Sequence, residues 1–353
     1  MSEDSDGNGA RRSSPTIYDV AAAAGVAPST VSRTFSRPGR VNSETAERIR
    51  RIAAEMGYRT NPVARALPTG RTSIIAIIVS DVTNPFFFEI IRGAEETASA
   101  AGYTLLVADV NESADAERKA LDRTLPLVEG IVLATSRMSD SSIRVAAKQR
   151  PTVVLNRTTT DIPSVVTDNA RGMKRAVHHL ADLGHTSITY VAGPQGSWAD
   201  GVRWRAFYDA TTELDIRGKR VGPFAPTQAG GLSAAHELAK DATSAVISYN
   251  DLMAIGMMRG FVRQGISVPD DISVVGFDNI FGSDFCTPPL TTVAAPLHSL
   301  GAYAVQTLLA ELAKTSYDRQ AAPKPLKVVL LPSQLVVRGS TGPRNAVLAK
   351  RAS

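Results

Sequence analysis

Residues 16–56 read TIYDVAAAAGVAPSTVSRTFSRPGRVNSETAERIRRIAAEM, and their apolar spacing predicts short helices separated by turns. Thr16 is a suitable N-cap for the first helix, and Gly25 suits the left-handed position that ends it. A second helix is predicted over 28–35, because Pro28 occupies a first-turn position that tolerates proline. Its inner face is apolar and its outer face is polar. Two helices joined by a turn that contains glycine have the layout of a helix-turn-helix.

A third helix is predicted to follow. It begins at Asn42 or Ser43 and ends at Gly57, and its apolar residues form one stripe. Each of the three helices is too short to be stable alone, so they must share one core. The sequence therefore predicts a three-helix DNA-binding unit.

The excess of positive charge lies in the same segment. The chain has a formal net charge of +5, whereas residues 10–71 alone hold eleven arginines against four acidic residues. Arginine suits DNA because its planar fork donates two parallel hydrogen bonds to phosphate or guanine. Charge alone would also fit a solvated basic tail, but the helical pattern favours DNA binding.

After Ser73 the pattern changes to short β-rich runs that alternate with helical stretches. Near-continuous apolar strands separated by helices favour parallel sheets covered on both faces, and two such series in tandem predict two similar doubly wound α/β lobes. The predicted strands are 74–79, 104–108, 131–134 and 152–155 in the first series, and 165–167, 188–192, 246–248 and 273–277 in the second.

The residues directly after these strands are candidates for ligand contact, because ligands of such folds sit at the carboxyl ends of the strands. Helix capping is the alternative role for several of them, and for Asp168 we favour the cap. The candidates are Ser80, Asp81, Asn156, Asp168, Gly193, Asn250 and Asp278.

Composition is typical of a soluble globular protein. Hydrophobic residues make up 43% and charged residues 21% of the chain, and no apolar run has the length of a membrane-spanning helix. The polar first fifteen residues lack the apolar stretch of a secretory signal, so we expect a cytoplasmic protein with no membrane partner. The single cysteine, Cys286, excludes an internal disulfide and a cysteine-based zinc cluster.

Enzyme signatures are missing from the sequence. It contains no Gly-x-Ser-x-Gly elbow, no phosphate-binding loop and no Gly-x-Gly-x-x-Gly after a strand. His178, His179 and His185 lie close together, but no cysteine or acidic residue shares the spacing that metal ligands require. We therefore expect no enzyme activity, no catalytic residue, no metal and no cofactor.

Residues 16–72 resemble the headpiece of the LacI/GalR family of bacterial repressors, and the resemblance extends through essentially the whole chain. It implies an N-terminal all-α helix-turn-helix headpiece, followed by two parallel-sheet lobes like those of periplasmic sugar-binding proteins. The other segments that carry it are SDVTNPFFFEIIRG, VTDNARG, HLADLGH, SYNDLMAIG, GISVPDDISVVGFDN and LVVRGSTGPR.

The resemblance implies a set of DNA-binding residues. Pro28 and Ser29 would meet base edges in the major groove, with Arg33 one turn on; Pro28 offers only an apolar contact. Phosphate contacts, which set the register, are implied for Tyr18, Ser32, Asn42, Thr45 and Tyr58. Ile17, Ala27 and Thr30 complete the implied DNA-binding surface of the headpiece.

A second DNA-binding element is implied at residues 61–67. In the family this segment folds only on DNA and inserts a leucine into the minor groove, which here is Leu67, with Asn61 and Ala64 on the same element. A plain flexible linker is the alternative, because so short a helix is unstable alone. Pro68 departs from the family pattern and disfavours helix at Leu67.

The resemblance also ranks the candidates for the cleft between the lobes, where the family holds its effector. Asn, Asp and Arg side chains suit a polyhydroxylated ligand, and an aromatic face covers the apolar side of a sugar ring. The implied effector-binding residues are Asp81, Phe86, Phe87, Asn156, Arg203, Asn250 and Asp278, followed by the weaker candidates Trp198 and Phe224. Ala206, and Ala294 with Ala295, depart from the family pattern and put the transfer of any particular ligand in doubt.

The predicted domain boundaries follow from these segments. They are 1–14 for a disordered tail, 15–60 for the helix-turn-helix domain, 61–71 for the hinge, 72–340 for the two-lobed domain and 341–353 for a flexible tail. The first lobe is predicted to cover about 72–160 and 293–324, and the second about 161–292 and 325–340.

Together these parts predict a sequence-specific transcription repressor whose operator affinity is controlled by a small molecule, a sugar or a related polyhydroxy metabolite. Its expected partners are a pseudo-palindromic DNA operator, the effector and a second copy of the chain. The tail after Arg338 has no leucine heptads, which favours a dimer over a tetramer. The alternatives are a solute-binding-type protein and a regulator controlled by a protein partner.

Overall fold

A computed structural model describes residues 15–36, 39–58, 72–240, 243–314 and 328–344 of the chain. The chain divides into two compact units, Met1–Ser73 and Ile74–Ser353. None of the described helices is both long and apolar enough to cross a membrane.

The first unit contains α1 (Ile17–Ala24), α2 (Pro28–Ser36) and α3 (Ser43–Glu55). Thr16 caps α1 in a reciprocal box with Asp19: the Thr16 hydroxyl accepts from the Asp19 amide, and the Asp19 carboxylate accepts from the Thr16 amide at 2.7 Å. Gly25 ends α1 with φ +64°, in the left-handed region that favours glycine. The predicted start and end of α1 are thereby confirmed.

The three helices share one apolar core, as their length required. Six residues of that core are buried: Val20, Ala21, Ala24, Val31, Ile49 and Ala53. The N-cap of α3 is Asn42 rather than Ser43, since its side chain accepts from the Glu44 amide at 3.0 Å. This core gives α2 one fixed inner face and leaves its other face to solvent.

The described strands of the second unit form two six-stranded sheets. One is fully parallel, and in the other only the last strand runs antiparallel to its neighbour. The first contains β1 (Ile74–Val79), β2 (Thr104–Asp109), β3 (Gly130–Ala134), β4 (Thr152–Leu155), β5 (Ser164–Thr167) and β11 (Val328–Leu331), in the order β11-β5-β4-β3-β1-β2. The second contains β6 (Ser187–Val191), β7 (Arg217–Val221), β8 (Ala245–Ser248), β9 (Ser273–Asp278), β10 (Thr291–Ala294) and β12 (Gln334–Val336), in the order β12-β10-β9-β8-β6-β7.

Helices cover both sheets. We call the first sheet with its helices the first lobe, and the second sheet with its helices the second lobe. The helices of the first lobe are α4 (Phe86–Ala100), α5 (Ala114–Thr124), α6 (Asp140–Gln149) and α11 (Leu297–Ala313). Those of the second lobe are α7 (Asn169–Asp182), α8 (Trp198–Glu213), α9 (Gln228–Leu238) and α10 (Asp251–Arg263).

The central strand β1 shows why its sequence is apolar throughout. Ile75, Ile77 and Val79 belong to the core beneath α4 and α11, whereas Ala76 and Ile78 belong to the core beneath α5 and α6. Alternate side chains of a strand point to opposite faces, so a strand covered on both sides needs an unbroken apolar run. The predicted two-lobed parallel fold is confirmed.

Two predicted lobe assignments are wrong. The sequence pattern predicts residues 164–167 in the second lobe, but β5 pairs with β4 and β11 in the first sheet. The predicted boundaries also assign residues 325–340 wholly to the second lobe, whereas β11 belongs to the first lobe and β12 to the second. The physical reason differs for the two strands: β5 pairs with the preceding strand β4, and no apolar pattern marks the point where the chain leaves the first sheet. Strand β11 joins β5 across a long sequence separation, which no local pattern reveals.

The chain therefore passes between the lobes after Thr167, after Ala294 and after Leu331. Strands β7 and β10 also escaped prediction, as did β11 and β12. Strand β7 reads RGKRV at the edge of its sheet, where polar residues replace the apolar run.

Candidate functional site

The outer face of α2 is the candidate DNA-reading surface. Val31 is fully buried, and Thr34 is 2% exposed and donates to the Thr30 carbonyl at 2.9 Å. Ser29, Ser32 and Arg33 lie on the opposite, exposed side of the helix. An exposed polar helix face of this kind, held by a small core, is what a major-groove reader requires.

The other predicted headpiece contacts differ in exposure. Tyr18 is 70% exposed on α1, and Ala27 and Asn42 are also exposed. Ile17 and Tyr58 pack partly against the core, and burial raises the pKa of the Tyr58 hydroxyl, which remains a hydrogen-bond donor. Pro28, Thr30 and Thr45 are half-buried. The predicted hinge residues Asn61, Ala64, Leu67 and Pro68 lie outside the described residues.

The second unit contains a narrow cleft at the carboxyl ends of strands from both lobes. Its free volume is about 20 Å³, which is room for about one water molecule. The residues that line it are Asn84, Phe86, Phe87, Glu112, Thr135, Arg137, Asn156, Arg203, Pro226, Tyr249, Asn250 and Asp278. Six of the predicted effector residues are therefore brought together: Phe86, Phe87, Asn156, Arg203, Asn250 and Asp278.

The cleft concentrates unusual backbone geometry. Four of its lining residues have positive φ: Glu112 (57°), Thr135 (60°), Asn156 (58°) and Asp278 (114°). L-residues other than glycine rarely adopt this region, and such strain persists where the surrounding structure enforces it, commonly at binding sites. The strand ends are thus shaped to aim particular side chains into the cleft.

Arg203 is held at the floor of the cleft by the protein itself. It lies on α8 and is 2% exposed, and its Nε donates to Asn169 Oδ1 at 2.9 Å. Its Nη2 donates to Asp278 Oδ1 at 3.2 Å, and its Nη1 donates to the Tyr249 carbonyl. The guanidinium stacks over the Phe277 ring, 3.6 Å from the centroid. Since a guanidinium has five N–H groups, these three bonds leave two for a ligand.

Two buried carboxyl groups lie in the second lobe: Asp278 lines the cleft, and Asp251 follows the lining residue Asn250. Burial raises the pKa of Asp278 to about 7, although Arg203 opposes that rise. Burial, together with repulsion from Asp278, raises the pKa of Asp251 to about 8. Asp251 accepts from the Thr292 hydroxyl at 2.6 Å and from the Ile280 amide at 2.9 Å, so it fixes the backbone that follows Asp278.

The two asparagines of the cleft differ in what they offer a ligand. Asn156 Oδ1 is a buried acceptor with no hydrogen-bond partner among the described residues. Asn250 caps α10 by accepting from the Met253 amide at 3.0 Å, and its Nδ2 donates to the Pro226 carbonyl at 3.1 Å. Leaving a buried polar atom unpaired is unfavourable, so Asn156 is the group that most needs a ligand.

Three predicted effector residues lie elsewhere. Asp81 accepts from the Thr83 amide at 2.9 Å and from the Thr83 hydroxyl at 2.6 Å, so it stabilises the turn before α4. Trp198 begins α8 and lines a different depression, and Phe224 packs against the apolar core of the second lobe. Asp168 caps α7 by accepting from the Arg171 amide at 3.0 Å, which confirms the role favoured for it.

Sequence reasoning missed a polar cluster that spans the cleft. Arg137 Nε donates to Glu112 Oε2 at 2.6 Å, both from the first lobe, and Arg137 faces Tyr249 of the second lobe, which favours its charged form. Glu112 and Arg137 follow β2 and β3 by three residues each. Both residues therefore lie in the loops at the carboxyl ends of strands, where ligands of this fold bind, but beyond the first residue of each loop. Considering the first three residues after each strand would have identified them.

Known proteins resemble the chain over nearly its whole length. A family model described as bacterial regulatory proteins, lacI family, matches residues 16–61, and a periplasmic binding protein-like domain matches 177–341. The HTH-type transcriptional regulator DegA of Bacillus subtilis (strain 168) is 32% identical over 94% of this chain and 99% of its own length. The HTH-type transcriptional repressor CytR of Escherichia coli (strain K12) is 33% identical over 92% of this chain and 96% of its own.

Solved structures show the same likeness. The lac repressor dimer bound to operator and the anti-inducer ONPF has a TM-score of 0.81 at 28% identity, over 93% of this chain and 99% of that one. A LacI family transcriptional regulator from Enterococcus faecium with bound ribose has a TM-score of 0.67 at 30% identity, over 77% of this chain and all of that one. These similar proteins are transcriptional regulators and not enzymes.

Proposed function

Because the chain belongs to the lacI family of bacterial regulatory proteins, we propose that it is a cytoplasmic repressor whose affinity for a pseudo-palindromic operator is set by a small polyhydroxylated effector in the cleft. The headpiece would read the operator through α2, and the two lobes would sense the effector. As a member of this family the chain is a DNA-binding transcription regulator; the class of effector and the site that binds it are the proposal.

The observation that carries the effector class is the buried, unpartnered Oδ1 of Asn156 beside the Arg203–Asp278 pair. A hydroxyl group can donate to Asn156 or Asp278 and accept from the remaining N–H groups of Arg203. A ligand with several hydroxyl groups on one ring satisfies all three partners at once. Phe86 and Phe87, which meet edge to face with ring centroids 5.0 Å apart, supply an apolar wall.

The size of the cleft supports a mechanism in which the lobes move. Its free volume of about 20 Å³ is far below the roughly 300 Å³ of the smallest ordinary ligand pockets, so the lobes must separate before an effector enters. The contact between Arg137 and Tyr249 would break in that motion. In a dimer, each copy of the chain has one first lobe and one hinge (residues 61–71). We infer that the displacement of the two first lobes alters how the two hinges fold on DNA.

An exposed apolar surface on the second lobe supports a dimer. Phe281 and Phe285 are each 70% exposed and Val262 is 67% exposed, around a depression of about 580 Å³. Contiguous apolar surface of this kind is unfavourable in water and marks an interaction site. We propose that a second copy of the chain covers it, which would place two headpieces on two half-sites.

The proposal is tested by a thermal-shift screen of the purified chain against sugars, nucleosides and sugar phosphates. Ribose and cellobiose, found with similar regulators, belong in the first panel. Each hit is then added to the chain bound to an operator that has been selected from genomic DNA. We expect one polyhydroxylated compound both to stabilise the chain and to change operator affinity.

Other results would support the alternatives. A compound that binds without changing operator affinity would indicate a solute-binding-type protein. Operator binding that no compound changes, but that a second protein does change, would indicate control by a protein partner.

A further inference from the structure

A second, roomier depression lies beside the cleft and does not share any lining residue with it. Its volume is about 570 Å³, within the range of small-molecule sites. Arg157 of the first lobe lines it, together with Trp198, Arg205 and Asp209 on α8 of the second lobe. Ser197 separates the two cavities, since it lines the depression while its hydroxyl lies 3.1 Å from the Tyr249 hydroxyl in the cleft wall.

Arg157 is a fixed cation in the wall of this depression. Its Nη1 donates to the Met138 carbonyl at 2.7 Å and to the Ser136 carbonyl at 3.1 Å, and its Nη2 donates to Asp140 Oδ1 at 2.5 Å. Its Nε is buried and has no hydrogen-bond partner among the described residues. A buried N–H on an anchored guanidinium favours an acceptor group at this position.

The opposite wall offers a ring and a second cation. Trp198 is half-buried, and within the described chain its indole makes no ring contact. Arg205 is exposed and makes no hydrogen bond or ion pair that the described residues reveal. Asp209, one turn further along α8, is the one carboxylate among the lining residues. Because Arg157 is paired with Asp140, Arg205 is the lining arginine whose charge no ion pair offsets among the described residues.

We propose that this depression binds a ring compound that carries a phosphate or carboxylate group, with the ring against Trp198 and the anionic group between Arg157 and Arg205. The indole face suits a flat or apolar ring surface, and guanidinium groups bind oxyanions through charge-assisted hydrogen bonds. The start of α8 at Trp198 adds the partial positive charge of a helix N-terminus. Because Arg157 belongs to the first lobe and the other groups to the second, the ligand contacts both lobes.

This site is independent of the effector proposed for the cleft. A ligand in this depression would be a second compound that affects the movement of the lobes. The depression would still bind its ligand if the cleft bound nothing.

Isothermal titration of the full-length chain tests the proposal with two matched pairs of probes, glucose 6-phosphate against glucose and adenosine monophosphate against adenosine. We expect at least one phosphorylated probe to bind, and its unphosphorylated partner to bind at least about tenfold more weakly. The variant Arg205→Gln should weaken the phosphorylated probe by about tenfold. Trp198→Ala should weaken it as well, and the exposed Arg171→Gln serves as the matched control.

The Asp278→Asn variant separates the two sites. It should leave the binding of the phosphorylated probe unchanged, whereas a loss of binding would place that probe in the cleft and overturn the proposal. Failure of both phosphorylated probes to bind at millimolar concentration would also overturn it, as would equal binding to wild type and Arg205→Gln. Unchanged operator binding by each variant shows that the variant is folded.

Discussion

The Nη2 atom of Arg203 lies 3.2 Å from Oδ1 of Asp278, and both side chains are almost fully buried, at 3% and 6% exposure. The two residues come from α8 and from the end of β9, so the contact ties two elements of the second lobe at the floor of the cleft. A buried ion pair contributes little net stability, because the loss of hydration offsets the attraction. We propose that the pair serves the effector, whose hydroxyl groups would complete the hydrogen bonds of Arg203 and Asn156.

The first prediction concerns Asp278→Asn. The amide removes the charge that Arg203 faces and one strong acceptor, so we expect effector affinity to fall by at least about tenfold. Titration calorimetry with the compound from the thermal-shift screen measures this. Asp284→Asn, an exposed change in the same loop, should leave the affinity unaltered. Equal affinities of wild type and Asp278→Asn would remove Asp278 from the site.

The second prediction concerns pH and the stability of the second unit. The pKa of Asp278 is raised to about 7 and that of Asp251 to about 8, so the folded state binds protons that the unfolded state releases. The contribution of these groups is full below the unfolded pKa of about 3.8 and is lost as pH rises through 7 to 8. The free energy of unfolding should therefore fall with rising pH, by up to about 1.4 kcal/mol per pH unit for each group.

The matched variant is Asp251→Asn. Its amide can still accept from the Ile280 amide and donate to the Thr292 hydroxyl, so the local hydrogen bonds are preserved. Urea unfolding at several pH values should give a flatter profile for this variant than for wild type. Profiles of equal slope would contradict the assignment of the raised pKa values to this pair.

The third prediction concerns Arg33 on the exposed face of α2. If its guanidinium reads a base edge, Arg33→Ala should cost about 1–3 kcal/mol of operator affinity and much less affinity for scrambled DNA of the same length. Fluorescence anisotropy with both DNAs gives the ratio of operator affinity to affinity for scrambled DNA in wild type and in the variant. A loss that is equal for the two DNAs would mean that Arg33 contacts phosphate instead.

The fourth prediction concerns the hinge, which lies outside the described residues. If Leu67 inserts into the minor groove, Leu67→Ala should lower operator affinity by at least about tenfold and leave effector binding intact. Leu127→Ala, at an exposed leucine of the second unit, provides the control. Unchanged operator affinity in Leu67→Ala would exclude the wedge and favour a plain linker.

The fifth prediction concerns the proposed dimer surface. Phe285→Asp places a charge in the apolar patch, so sedimentation should show dimer dissociation at a concentration at least about tenfold higher than for wild type. Tyr208→Asp changes a similarly exposed aromatic residue on α8 and should have no such effect. A wild-type tetramer, or a dimer that Phe285→Asp does not weaken, would contradict the proposal.

The sequence was sufficient to predict the features that depend only on residues close together in the chain. The cap at Thr16, the left-handed Gly25 and the apolar run of β1 are each determined by neighbouring residues, and the structure has all three. The assignment of β11 to a lobe depends on its pairing with β5 across more than a hundred and fifty residues, which the apolar pattern does not encode. Strand β5 pairs with the nearby β4, but its apolar run does not show to which sheet it belongs.

The candidate site shows the same limit. Position after a strand predicted Asn156 and Asp278, because strand ends converge in a parallel sheet. It did not distinguish Asp81, whose oxygens stabilise a turn, and it did not reach Arg137, which extends from a longer loop to Tyr249. Which side chains meet across a cleft depends on the packing of the two lobes, and a single sequence does not specify that packing.

Coupling between the cleft and the operator is tested most directly by a linked titration of operator and effector. Operator affinity is measured with and without the effector, and effector affinity with and without the operator, in wild type and in Asp278→Asn. In wild type, the factor by which the effector changes operator affinity should equal the factor by which the operator changes effector affinity, as linkage requires. At the same effector concentration, operator affinity should change much less in the variant, because the variant binds the effector more weakly. An effector that binds in the cleft of the wild-type protein without changing its operator affinity would contradict this coupling.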